Sequence, residues 1–216
     1  MSPYWKHISM NVHEKAIFIS TTLNRLFPNP QIPLFHGDPY TLLVAVMLSA
    51  QCTDLVVNRV TKTLFNLAHD PQTMALLGEN QIAEIIRPCG LVNHKSKAIL
   101  ATSRLLLEKF HGRVPDTFEG LESLPGVGHK TASVVMAQAF NKAAFPVDTH
   151  IARLSQRWDL AKSFNVRKIE ERLKQLFPIE SWHDLHIQMI KYGRKYCPAK
   201  RHIMKNCPIC LKFLLD

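Results

Sequence analysis

The chain has 216 residues, 46% hydrophobic and 20% charged, the make-up of a core-forming globular protein and not of a disordered one. Its 27 Lys and Arg against 17 Asp and Glu give a formal charge of +10, which points to a polyanionic partner. The first residues, MSPYWKHISMNVHEKA, carry no long apolar run behind a basic end, and no later stretch reaches the ~18 uncharged apolar residues of a membrane span, so the expectation is a soluble, cytoplasmic protein.

Residues 9–27 carry Val12, Ala16, Ile17, Ile19, Leu23 and Leu26 at helical spacing, and Pro28 and Pro30 end that helix. TLLVAVMLSA is apolar almost all the way round, which predicts a central buried helix whose polar end, Ser49 to Asp54, emerges at a surface. Four further segments, from LVVNRVTKTLFNLA to KSKAILATSRLLLEKFHG, repeat apolar residues at three- and four-residue steps. THIARLSQRWDLA, NVRKIEERLKQLF and SWHDLHIQMIKYGRKYC add three more helices. Nothing alternates with a period of two, so the predicted fold class is all-α.

The stretch LPGVGHKTASVVMAQAFNKAAFPVDTH, 124–150, is where the chemistry concentrates. Gly126 and Gly128 make a turn that opens into a helix near His129, and such a turn can close its backbone N–H groups on a phosphate. It matches neither a dinucleotide fingerprint nor a P-loop, because it joins two helices. Lys130 falls in the first helical turn, where the helix dipole opposes a positive charge. Taken bare, the glycines are a tight turn, Lys130 is a solvated charge and Asp148 is a cap for the helix starting at Thr149.

LPGVGHKTA followed by VDTH resembles the helix-hairpin-helix DNA glycosylases, and the lysine and aspartate pair resembles the endonuclease III family in particular. The resemblance extends through LSAQCTD at 48–54 and GLVNHKSKAI at 90–99 to the C-terminal cysteines. It implies a two-lobed fold: residues 32–142 as a six-helix bundle bearing the hairpin, residues 1–31 with 143–216 as a second lobe, and an active cleft between them. It also implies a bifunctional DNA glycosylase and AP lyase that removes oxidised pyrimidines from damaged double-stranded DNA, acting as a monomer. Lys130 is then the nucleophile and Asp148 its partner carboxylate. Gln51 and Leu91 match positions that enter the duplex, and Gly126, Val127, Gly128, Lys200 and Arg201 are the further residues expected to contact DNA. A non-catalytic hairpin module and a monofunctional adenine-mismatch glycosylase are the alternatives; the second is disfavoured because Lys130 is present.

Of five cysteines, three lie in the last twenty residues, which fits a reducing compartment and a metal site better than a disulfide framework. Here the chain departs from its family. The resemblance leads to C-x6-C-x2-C-x5-C around a 4Fe-4S cluster, yet nine residues separate Cys197 from Cys207, Cys210 follows, and Asp216 stands at the fourth position. A 4Fe-4S cluster with Asp216 or solvent on one iron is the leading expectation; a 3Fe-4S cluster, a zinc ion on three thiolates and an empty loop are the alternatives. Cys52 and Cys89 are expected to pack and not to ligate. Lys200, Arg201, His202 and Lys205 are expected to face DNA phosphates from this loop.

Overall fold

The computed structural model describes residues 10–215, and among them every regular element is helical, as the sequence periodicity requires. The helices are α1 (Val12–Leu26), α2 (Pro39–Ser49), α3 (Asp54–Leu67), α4 (Pro71–Leu77), α5 (Glu79–Ile86), α6 (Val92–Phe110), α7 (Phe118–Glu122), α8 (His129–Ala139), α9 (Thr149–Arg157), α10 (Val166–Leu176), α11 (Trp182–Lys195) and α12 (Pro208–Leu215). The chain divides into two compact units, Ile32–Ala144 and Met1–Gln31 with Phe145–Asp216.

In the unit Ile32–Ala144, α2 is the axis. Asp38 caps its start by accepting from the backbone N–H groups of Tyr40 and Thr41 at 2.8 and 2.9 Å, and Pro39 fits the first helical position, where no donor is needed. Every residue from Tyr40 to Leu48 is buried, so no face of the helix is left for water. The polar end does emerge: Ala50, Gln51 and Thr53 are exposed. Helices α3 and α8 pack on α2, while α4 and α5 pack on α6. This unit carries α2–α8, seven helices if the five-residue α7 is counted, where six were expected from the resemblance.

The other unit has its own core, built on Ile19 and Leu23 of α1, Phe145, Ile151 and Leu154 of α9, Trp158, and Met189 and Tyr192 of α11. Trp158 and Tyr192 meet edge to face, with ring centroids 5.5 Å apart. Beyond Cys207 the chain forms one more helix than the periodicity predicts: Pro208 suits a first helical turn and PICLKFLL then runs as α12.

Side-chain caps start α1, α2, α3, α4, α7, α9 and α10, from Asn11, Asp38, Thr53, Asp70, Thr117, Asp148 and Asn165. Helices α6 and α8 begin on Leu91 and Gly128, which offer no capping side chain. Their first-turn donors are therefore not claimed by the residue in front of them.

Candidate functional site

The turn between α7 and α8 is fixed by packing. Gly126 has φ +77°, and a Cβ there would come within 2.8 Å of the Ala98 Cβ and 3.3 Å of the Met47 methyl, so the hairpin lies against α6 and α2 with no room for a side chain. Val127 is buried and its N–H donates to the Leu124 carbonyl at 3.1 Å. The Val127 side chain is therefore not available at the surface of the turn. His129 is clamped from α7, with its Nδ1 2.7 Å from a Glu122 carboxylate oxygen and its ring stacked on Phe118 at 5.4 Å. Gly128 has open space where a Cβ would stand, and Lys130 is exposed in the first turn of α8. The result is a packed helix start without a capping side chain, with the exposed amine of Lys130 in its first turn.

Two other exposed residues of the same unit sit on strained backbone. Gln51 has φ 54° and Leu91 φ 49°, the left-handed region that costs a non-glycine residue roughly 1 kcal/mol or more. Leu91 is 53% exposed, so the ordinary reading of it as a core leucine fails. Lys95 ties these two places together. It is buried at 4% exposure, and its ammonium donates to the Leu48 carbonyl near the end of α2 at 2.9 Å and to the Cys89 carbonyl of the 3-10 turn at 3.0 Å. One carbonyl lies three residues before Gln51 and the other two before Leu91. The signal was available: Lys95 shares a helix face with Ile99, Ser103 and Leu106, and a charge on such a face needs buried acceptors. Cys89 is buried, and burial followed by the neighbouring Cys52 thiol pushes its own thiol up to about 12, as expected of packing cysteines.

In the other unit Asp148 caps α9: its Oδ1 accepts the Ile151 N–H at 2.8 Å. The capping role read from the sequence is thus present, whatever else the carboxylate does. Helix α9 also grips the cysteine loop. Arg153 donates to the carbonyls of Gly193 at 3.2 Å and Cys197 at 3.1 Å, and Arg157 donates to the Cys197 sulfur and the Pro198 carbonyl, both at 3.1 Å. Since arginine brings only donors, the His150 Nδ1 that lies 3.1 Å from Arg153 is the acceptor, which makes His150 a supporting residue of α9.

Cys197, Cys207 and Cys210 are buried and converge, and the fourth donor among the described residues is His202. All four ligand atoms lie within 4.8 Å of one another, a metal-binding geometry. Hydrogen bonds from Cys197 and Cys210, helped by Tyr192 and the adjacent His202, push the Cys207 thiol well down against its burial. Tyr192 accepts the Ile209 N–H at 3.0 Å and stands 3.2 Å from the Cys207 sulfur. One expectation changes here. His202 turns into the cluster instead of facing phosphates, while Lys200, Arg201 and Lys205 are exposed as expected. Asp216 lies outside the described residues.

Residues 44–179 match the model of the HhH-GPD superfamily base excision DNA repair proteins. The chain is 40% identical to the endonuclease III of Buchnera aphidicola from Acyrthosiphon pisum over 94% of its own length and 95% of that protein. Its structure superposes on a trapped endonuclease III–DNA covalent intermediate with a TM-score of 0.88 at 36% identity, covering 93% of this chain and 94% of the other. A non-covalent endonuclease III–DNA complex gives 0.89 at 34% identity, covering 96% and 100%.

Proposed function

The chain belongs to the endonuclease III family within the HhH-GPD superfamily, and from that premise we propose how its own residues carry out the family's chemistry. The protein is a DNA N-glycosylase with AP lyase activity in base excision repair, acting on damaged duplex DNA and removing oxidised pyrimidines. The damaged nucleotide must leave the stack before its sugar can be reached.

Lys130 is the nucleophile in this account. Its amine attacks C1′ of the flipped deoxyribose, the glycosidic bond breaks, and the base departs with its bonding electrons and a proton. The opened sugar remains bound to the lysine nitrogen as an imine. Loss of a C2′ proton then expels the 3′ phosphate by β-elimination, and water releases Lys130. Asp148 stabilises the positive charge that develops on the sugar and takes a proton from the lysine ammonium. The observation that carries the reading is an exposed amine in the first turn of a helix whose start is held rigid and left uncapped.

The backbone of Gly126, Val127 and Gly128 faces a phosphate, and Lys200 and Arg201 are further basic contacts to the DNA backbone. Gln51 and Leu91 enter the gap left by the flipped nucleotide. Their exposure on strained backbone, with Lys95 holding both segments, supports this, because such conformations persist only where something holds them. The metal centre at the C-terminal loop has a structural part: through Arg153 and Arg157 it fixes α9, at whose start Asp148 stands. Family membership supports a 4Fe-4S cluster there, whereas the donor separations support a smaller centre.

The test is Lys130→Ala on duplex DNA with an abasic site. Strand nicking should fall on the order of 10³-fold or more, the scale of losing a covalent nucleophile, while binding in a gel-shift assay stays within about threefold. Persistent nicking by the purified variant would remove Lys130 from its role.

A further inference from the structure

His202 is the residue of the C-terminal loop that a four-cysteine pattern does not explain. It lies five residues after Cys197 and five before Cys207, so the ligating residues run C-x4-H-x4-C-x2-C. The nine-residue gap between the first two cysteines supplies the length to fold an imidazole back. Arg201, with φ 57°, reverses the backbone just before it, and a 3-10 turn at Met204–Asn206 delivers Cys207. The Nε2 of His202 is buried and has no hydrogen-bond partner. A buried nitrogen left unpaired costs about 1–3 kcal/mol, and a ring nitrogen of His202 lies within 4.8 Å of all three sulfurs, where a metal ion would satisfy the imidazole and the thiolates together.

The distances say which kind. A tetrahedral zinc ion with Zn–S bonds of ~2.3 Å separates its sulfur ligands by about 3.8 Å. The Cys197 and Cys210 sulfurs are 3.7 Å apart, and the full donor set fits within 4.8 Å. A four-iron cube puts each thiolate on a different iron, so its sulfurs stand apart by the body of the cube and not by the edge of one coordination tetrahedron. The surroundings agree with a single ion. Three thiolates and a neutral imidazole on Zn2+ leave one negative charge, and the Arg157 guanidinium lies 3.1 Å from the Cys197 sulfur to meet it.

We propose that Cys197, His202, Cys207 and Cys210 form a Cys3His site for one structural zinc ion, with His202 in place of the missing fourth cysteine and Asp216 taking no part. Zinc uptake displaces the thiol protons to solvent and needs neither oxidant nor reductant. The ion closes the loop against α9 and α11 and holds Lys200 and Arg201 on its outer face. This goes beyond the glycosylase reading and does not depend on it.

The full chain is expressed with both iron and zinc supplied, purified without oxygen, and assayed for metal and acid-labile sulfide. One zinc per chain without sulfide is the expected result; iron with matching sulfide, or a folded chain free of metal, overturns the proposal. His202→Ala should weaken zinc at least about 100-fold in competition with a chromophoric chelator, since even outer-shell losses reach that scale, and Asp216→Ala should leave affinity unchanged. Equal affinity of His202→Ala and wild type, or loss on Asp216→Ala, contradicts the ligand set. If His202→Ala does not fold, His202→Cys replaces it: the cobalt(II) form should keep one metal and show a stronger thiolate-to-metal band. An unchanged band would mean that His202 is not a ligand.

Discussion

The hairpin at Leu124–Lys130 and the loop at Cys197–Cys210 are both turns that lead into a helix, but they are constrained in different ways. In the hairpin the constraint is on the backbone: Gly126 cannot carry a Cβ against Ala98, Val127 is buried, and the amine of Lys130 follows at a fixed step. Insert or delete a residue and the amine moves to another face of α8. In the metal loop the constraint is on four donor atoms, which need only meet at bonding distance. Different lengths of chain can satisfy it, and here a longer gap and a histidine do so. Motifs of the first kind keep their spacing and those of the second keep their geometry.

That contrast can be sharpened where the two demands fall on one residue. Asp148 is a helix cap and, in the proposed mechanism, a charge. Asn caps as well as Asp does, so Asp148→Asn should keep stability within about 0.5 kcal/mol while base release slows on the order of 10²-fold. Melting curves and single-turnover release of an oxidised pyrimidine read the two parts separately. Unchanged turnover would reduce Asp148 to its cap.

A smaller effect is expected on the hairpin's side of the comparison, where backbone constraint should extend to Gln51 and Leu91. Lys95→Met leaves the Leu48 and Cys89 carbonyls without their donor, costing about 2 kcal/mol after relief of the lysine's own desolvation. Binding of damaged duplex should weaken about tenfold, while single-turnover nicking of saturated abasic DNA changes little. If melting falls and binding does not, Lys95 supports the unit without placing the two segments.

Much of this was legible in the sequence. The helices followed from apolar periodicity, and the buried axis of α2 followed from TLLVAVMLSA having no polar face. What stayed hidden depended on tertiary partners. The left-handed conformations of Gln51 and Leu91 have no glycine or asparagine to announce them. Lys95 reads as one more surface charge until its apolar neighbours on α6 are counted. His202, set among Lys200, Arg201 and Lys205, was grouped with the phosphate-facing residues, although a histidine between cysteines is also a metal-ligand signal. Helix α12 is short, eight residues opening on Pro208 directly after a metal-ligating cysteine, so its apolar residues carry too few turns to announce a helix by periodicity.

The central claim is that the amine at the start of α8 bonds covalently to the opened sugar. Borohydride reduction during reaction with a duplex containing an abasic site tests it most directly, with wild type and Lys130→Ala compared and the modified peptide mapped. A stable protein–DNA adduct through Lys130, formed by the wild type and absent from the variant, is the predicted result. An adduct of equal yield in Lys130→Ala, or none from active wild type, would contradict the account.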